Sequence, residues 1–138
     1  MTVPKIWRKQ KEHYLLIGKR CEECGTLIFP SRDVCRKCSS ANLVEYRFDP
    51  RGEIVTFTVI RSQVNDPEGE NIDIPARNIP YVLAIIRLEE GPMLTAQVVE
   101  CAADELKIGK KVEMVFRKLN EKGRRGIIEY GYKFRIID

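Results

Sequence analysis

The sequence predicts a mainly β protein in which a short N-terminal helix leads into a small cysteine-rich module and then a five-stranded barrel. Two observations carry that prediction. Four of the five cysteines fall into two C-x-x-C pairs, and from Gly52 onward five segments rich in β-branched and aromatic residues alternate with turn signals. The opening segment, residues 1–17, reads as a helix: Thr2 is placed to cap it, Pro4 suits its first turn, and Ile6, Trp7, Tyr14 and Leu15 recur near one face. Gly18 is expected to stop it at or just before that position. An amphipathic helix of this kind packs on its own domain or docks on a partner through Ile6, Trp7 and Tyr14.

Residues 18–46 form the cysteine-rich module, with Leu15-Leu16-Ile17 and Leu27-Ile28-Phe29 supplying strands and Pro30 ending the second. Residues 47–138 form the barrel, with strands expected at 53–60, 81–88, 93–99, about 111–119 and 127–137. Glu89-Glu90-Gly91-Pro92 makes the hairpin turn between the second and third of these, and a helical turn around residues 103–106 precedes the fourth. Five strands interrupted there are the arrangement of an OB-fold, and an SH3-like barrel satisfies the same count.

A length of 138 residues fits one ordinary domain or two very small ones and excludes a large multidomain enzyme. Of the residues, 32% are charged, yet the net charge is only +4, so collapse is not opposed by self-repulsion. Residues 1–40 hold nine basic and four acidic side chains, whereas residues 49–105 are mostly acidic and 107–135 mostly basic. No run reaches the roughly 18 to 20 apolar residues of a membrane helix. Charges at Lys5, Arg8 and Lys9 stand where an export signal needs apolar residues, so a cytoplasmic location with reduced thiols is expected.

The strongest chemical signal is Cys21-Glu22-Glu23-Cys24 followed by Cys35-Arg36-Lys37-Cys38, with ten residues between Cys24 and Cys35. Two residues between cysteines allow a tight turn to aim both sulfurs at one point, and two such knuckles make a tetrahedral cage for zinc. Gly25 eases the first turn, and Ser39 stands at the matching place in the second. Iron fits the same geometry, and a disulfide pairing is disfavoured by a reducing compartment. Four thiolates leave no open coordination position, so the metal is expected to be structural.

Little points to catalysis. Cys101 stands alone and reads as a packing residue, the single histidine, His13, reads as a helix-surface group, and no nucleophile-elbow, phosphate-loop or metalloprotease motif occurs. An OB-fold presents ligands to its loops. The loop at 64–80 is acidic and proline-rich. The one at 120–126 sets Lys122, Arg124 and Arg125 beside Gly123 and Gly126, which suits a phosphate or a solvated hairpin tip. A nucleic-acid-binding alternative rests on Phe116, Tyr130, Tyr132 and Phe134 as a stacking platform with Lys118, Lys133 and Arg135 nearby. Against it stand a barrel near neutrality and an acidic first loop.

The order of these pieces resembles the zinc-ribbon/OB-fold proteins grouped as domain of unknown function thirty-five. The resemblance runs through Cys21-x-x-Cys24-Gly25, Phe29-Pro30-x-Arg32-x-x-Cys35-x-x-Cys38-Ser39 and Gly52-x-Ile54-x-x-Phe57-Thr58-Val59. It continues through Pro80-Tyr81-Val82-x-Ala84, Glu90-Gly91-Pro92 and Leu106-x-Ile108-Gly109-x-x-Val112, and so covers nearly the whole chain. It departs at Ser39, where the second knuckle often has Gly. The resemblance implies a rubredoxin-like zinc ribbon, an OB-fold, and a non-catalytic accessory subunit of acyl-CoA enzymes. Archaeal members of that family sit with acetoacetyl-CoA thiolase and hydroxymethylglutaryl-CoA synthase at the entry to the mevalonate route, bridging the two and favouring transfer of acetoacetyl-CoA. It further implies coenzyme A or acyl-CoA as a shared ligand, for which Lys122, Arg124 and Arg125 are the candidate phosphate contacts.

Overall fold

The computed structural model describes residues 3–61, 80–121 and 124–137, without the side chains of Asn120 and Glu121. The expected acidic loop therefore lies outside the described residues up to position 79, as do Thr2 and Lys122.

The N-terminal segment is two short helices, α1 (Val3–Arg8) and α2 (Gln10–Leu15), interrupted at Lys9. The expected single helix ends earlier than Gly18: Leu16 turns into the left-handed region at φ 51°, and the chain is already a strand at Ile17. Leu16 reverses the chain so that its own side chain is fully buried. Gly18 has a different task from helix termination. A Cβ there would lie 2.2 Å from the Ile28 carbonyl oxygen and 2.6 Å from a Phe48 ring carbon, so the position admits only hydrogen.

A three-stranded antiparallel sheet follows, with β1 (Ile17–Cys21) between β2 (Leu27–Ile28) and β3 (Leu43–Arg47). β1 begins at Ile17, two residues after the start expected from Leu15-Leu16-Ile17, and β3 is a strand that local pattern does not announce. Its partner register, Lys19 opposite Glu45 and Cys21 opposite Leu43, makes β3 the longer support of the cysteine module.

The remaining strands, β4 (Arg51–Ile60), β5 (Tyr81–Leu88), β6 (Met93–Val99), β7 (Lys111–Glu121) and β8 (Ile128–Ile136), close a barrel in the order β4-β5-β6-β8-β7. All neighbours are antiparallel except β6 and β8, and a single 3₁₀ turn at Ala103–Glu105 separates the third barrel strand from the fourth. That is the OB-fold. Register shifts beside Val55 and Leu119 bend the two strands that must wrap furthest to close it. Alternate residues point inward, so Val82, Ala84, Ile86 and Leu88 of β5 lie beside Leu94, Ala96 and Val98 of the neighbouring β6 on the inner face of the wall.

The barrel core does not stop at the barrel. Leu16 and Phe48 belong to it, with Leu27, Phe29 and Tyr46 packed against it. Phe29 meets Phe48 and Tyr132 edge-on at 5.8 and 6.0 Å, and Tyr132 meets Phe134 at 6.1 Å. An aromatic spine thus joins the cysteine module to the barrel. The helices are tied on by Glu12, only 6% exposed, whose carboxylate accepts the Ser31 N–H and pairs with Lys9 at 3.4 Å. His13 is not a helix-surface group: it stacks on Tyr132 at 6.1 Å, and burial holds its imidazole below its ordinary value, with Glu12 and Glu129 opposing and Lys9 reinforcing the shift.

Candidate metal centre and docking face

The two cysteine knuckles have one backbone design. Gly25 N–H donates to the Cys21 carbonyl and Ser39 N–H to the Cys35 carbonyl, each at 2.9 Å, while Cys21 and Cys35 donate to Thr26 and Ser40 at 2.9 and 2.8 Å. Gly25 and Ser39 both lie in the left-handed region, at φ 74° and 60°. Ser39, which departs from the usual glycine, nevertheless adopts the glycine conformation.

These turns bring the four sulfurs of Cys21, Cys24, Cys35 and Cys38 within 4.8 Å of one another, with Cys21 to Cys38 at 3.4 Å and Cys24 to Cys35 at 3.5 Å. A tetrahedron of zinc–sulfur bonds near 2.3 Å has edges of about 3.8 Å, inside that spread. Cys21, at the end of β1, and Cys35 are buried whereas Cys24 and Cys38 are exposed, so the centre sits at the surface with one buried cysteine in each knuckle.

The local dipoles favour thiolates. The Thr26 hydroxyl, 3.0 Å from Cys24, and the Thr26 N–H lower the Cys24 thiol to about 6. N–H groups of Cys38 and Lys37 lower Cys35 in the same way. The Ser40 N–H also favours the Cys38 thiolate, yet the sulfurs crowding it, Cys21 foremost, push Cys38 up to about 12. Four sulfurs this close cannot all ionise alone, and a divalent cation at their centre removes the obstacle. The donor set fits zinc, or iron in the same tetrathiolate geometry, and the metal would supply structural rigidity with no open position for substrate.

The other sequence-derived residues scatter. Ile6 is half-buried, Trp7 is 66% exposed, and Tyr14 is half-buried edge-on to Phe116 at 5.1 Å. Arg124 and Arg125 are exposed at the β7–β8 turn. The expected stacking platform divides: Phe134 is fully buried and Tyr132 belongs to the spine, whereas Phe116 and Tyr130 stack on each other at 5.3 Å and stay exposed. Sequence reading missed how Tyr14 joins that pair, because a contact between a helix and a hairpin a hundred residues later leaves no local periodicity. Cys101 is half-buried and its thiol is raised by burial and by Glu105, which opposes a nucleophilic role.

Comparison with known proteins agrees with this architecture. Residues 8–44 match the family model of the ChsH2 rubredoxin-like zinc ribbon domain, and residues 45–117 that of the ChsH2 C-terminal OB-fold domain. The chain is 42% identical to a DUF35 domain-containing scaffold protein of Methanocaldococcus jannaschii, over 99% of this chain and 92% of that one. It is 43% identical to one of Pyrococcus furiosus, over 99% and 94%. Among solved structures it is similar to an Ltp2-ChsH2(DUF35) aldolase, with TM-score 0.71 and 25% identity over 93% of this chain and 87% of that one.

Proposed function

The chain belongs to the DUF35 family of zinc-ribbon and OB-fold proteins, and from that premise we propose that it is a non-catalytic accessory subunit bridging acetoacetyl-CoA thiolase and hydroxymethylglutaryl-CoA synthase. The observation that carries the reading is its near full-length likeness to proteins named as scaffolds. The similar aldolase structure, named for two components of which one is DUF35, supports an enzyme partner.

The site chemistry agrees with a supporting role. The tetrathiolate centre has no open ligand position, the imidazole is stacked against Tyr132, and the lone thiol of Cys101 is raised rather than activated. In the proposed cytoplasmic assembly the zinc ribbon fixes the helices rigidly against the barrel, and Ile6, Trp7 and Tyr14 meet one enzyme. Lys122, Arg124 and Arg125 contact the phosphates of acyl-CoA as acetoacetyl-CoA passes between the active sites of the mevalonate route. Condensation of two acetyl-CoA molecules is uphill, so holding the next condensing enzyme close draws the product forward.

Co-expression with the thiolase and synthase of the same genome tests this. A ternary complex on gel filtration, with less free acetoacetyl-CoA during coupled turnover than with the two enzymes alone, is expected. Elution of the chain by itself, or thioester turnover by the purified chain, overturns the proposal. Reversal of charge at Arg124 and Arg125 weakens acyl-CoA retention by the complex if those contacts are made, and unchanged retention removes them from the site.

A further inference from the structure

The basic excess of residues 1–40 has a location. A hollow of 190 Å³ opens where the helices meet the ribbon sheet, and it is lined by Arg8 of α1, Lys9 between the helices, Lys11 of α2 and Lys19 of β1. Its two carboxylates are already engaged. Glu12 is buried, accepts the Ser31 N–H and pairs with Lys9 at 3.4 Å, while Glu45 pairs with Lys11 at 3.2 Å. Among the described residues no carboxylate pairs with Arg8 or Lys19, although the strand register sets Lys19 opposite Glu45. Four cations against two carboxylates leave the hollow with a net charge of +2.

Cations converging from three elements on one concave surface raise the local potential and concentrate anions there. The Ser31 hydroxyl adds a donor: at 3.5 Å from the Ile17 carbonyl it is at the outer limit of a hydrogen bond and can turn to a better acceptor. Size then selects among anions. The hollow has the volume of roughly six waters at about 30 Å³ each, which admits a tetrahedral oxyanion, whereas ligands of nucleotide size need roughly 300 Å³ or more. An arginine fork and lysine point charges are the donors that such an oxyanion takes. The position of Arg8 gives the site a structural consequence. It is the last residue of α1, a helix with no buried side chain, so apolar packing holds α1 weakly and an anion shared by Arg8 and Lys19 ties it to β1.

We propose that this hollow binds a phosphate-sized dianion, as the free ion or as the terminal phosphomonoester of a larger molecule, and that its occupancy fixes α1 against the ribbon. Arg8 and Lys19 hold the anion, with Lys9, Lys11 and the Ser31 hydroxyl in support. The site shares no residue with the turn that carries Arg124 and Arg125, and it does not depend on the accessory-subunit reading. A dianion matches the charge of the hollow, whereas a single carboxylate would balance half of it. A single-stranded nucleic acid fits less well, because the exposed carboxylate of Glu45 stands beside the cations and repels the phosphates that would follow the first.

The test titrates the full zinc-loaded chain with inorganic phosphate and with phenyl phosphate by calorimetry, in chloride buffer of low ionic strength at about pH 8, where both are dianions. The double variant Arg8→Gln/Lys19→Gln and the variant Lys107→Gln, an exposed cation outside the hollow, are compared with the unaltered chain after checks of zinc content and circular dichroism. One anion per chain with a Kd below about 1 mM is expected, weakened at least about tenfold in the double variant and unchanged in Lys107→Gln. Trp7, the only tryptophan, adjoins Arg8, so its fluorescence is expected to change on phosphate addition in the unaltered chain and not in the double variant. Tighter binding of inorganic phosphate supports the free ion as ligand, and phenyl phosphate bound at least as tightly supports a phosphomonoester end. No saturable binding of either, or equal weakening by Lys107→Gln, overturns the site. Binding that leaves Trp7 fluorescence and hydrogen exchange of the α1 amides unchanged overturns its role in fixing α1. A single-stranded oligonucleotide is the competing probe: if it binds much more tightly than phosphate and the double variant abolishes that binding, the hollow is a nucleic-acid contact and the proposal falls.

Discussion

Gly25 and Ser39 occupy the same backbone position in the two knuckles, each donating its N–H at 2.9 Å to the carbonyl of the knuckle's first cysteine with φ at 74° and 60°. Only one of the two is a residue that takes this conformation freely. Left-handed backbone costs a side-chain-bearing residue about 1 kcal/mol, part of which glycine returns as extra freedom in the unfolded chain. Ser39→Gly is therefore expected to leave metal binding intact and raise stability by about 0.5 kcal/mol, and Gly25→Ala to lower it by about 1 kcal/mol. Urea unfolding of the zinc-loaded proteins measures both, and a stabilising Gly25→Ala contradicts the shared design.

Removal of a buried ligand is expected to unfold more than the ribbon. Cys35→Ser should lower the zinc content from about one per chain towards none, with loss of a binding contribution on the order of 10 kcal/mol. Because Leu16 and Phe48 belong to the barrel core, the ribbon and barrel are expected to melt in one transition that a chelator shifts downwards. Two separated transitions in calorimetry would contradict a shared core. Metal binding displaces protons from thiols, so zinc affinity is expected to fall as pH falls.

Gly18→Ala should be severely destabilising for so small a change. The added methyl meets the Ile28 carbonyl and the Phe48 ring, neither of which moves without disturbing β2 or the spine. A loss of about 3 kcal/mol is expected, measured by thermal or urea unfolding, and a neutral result would mean that β1 and β2 are farther apart than described.

His13 makes stability depend on pH in a defined direction. Burial against Tyr132 lowers its imidazole below 6.5, so the folded chain favours the neutral ring more than the unfolded chain does. The stability this contributes is complete above pH 6.5 and is lost as pH falls from there through the folded-state value. Comparison of the zinc-loaded chain with His13→Gln between about pH 8 and about pH 5.5 isolates the effect, the variant losing less stability over that window. Equal slopes would exclude His13 as the source.

Local pattern carried much of this architecture. The C-x-x-C spacing announces the cage because its geometry is set within four residues, and the alternation in β5 and β6 announces a barrel wall because strand periodicity is also local. Where the reading erred, the cause was long-range. Gly18 resembles a helix stop in sequence, yet its purpose comes from Ile28 and Phe48, and His13 resembles a surface residue until β8 is laid against it. β3 has no local signature because Leu43–Arg47 follows a knuckle without its own turn signal and is a strand chiefly through pairing with β1.

By itself, then, the sequence determined which residues form the cage, that five strands follow it, and the broad family to which such an order belongs. The tertiary structure alone decided that ribbon and barrel share one core through Phe29, Phe48 and Tyr132, and which aromatics are buried and which remain on the surface. The physical reason is range: turn geometry and strand alternation act between neighbours in the chain. Burial is set by which distant segment arrives to exclude water.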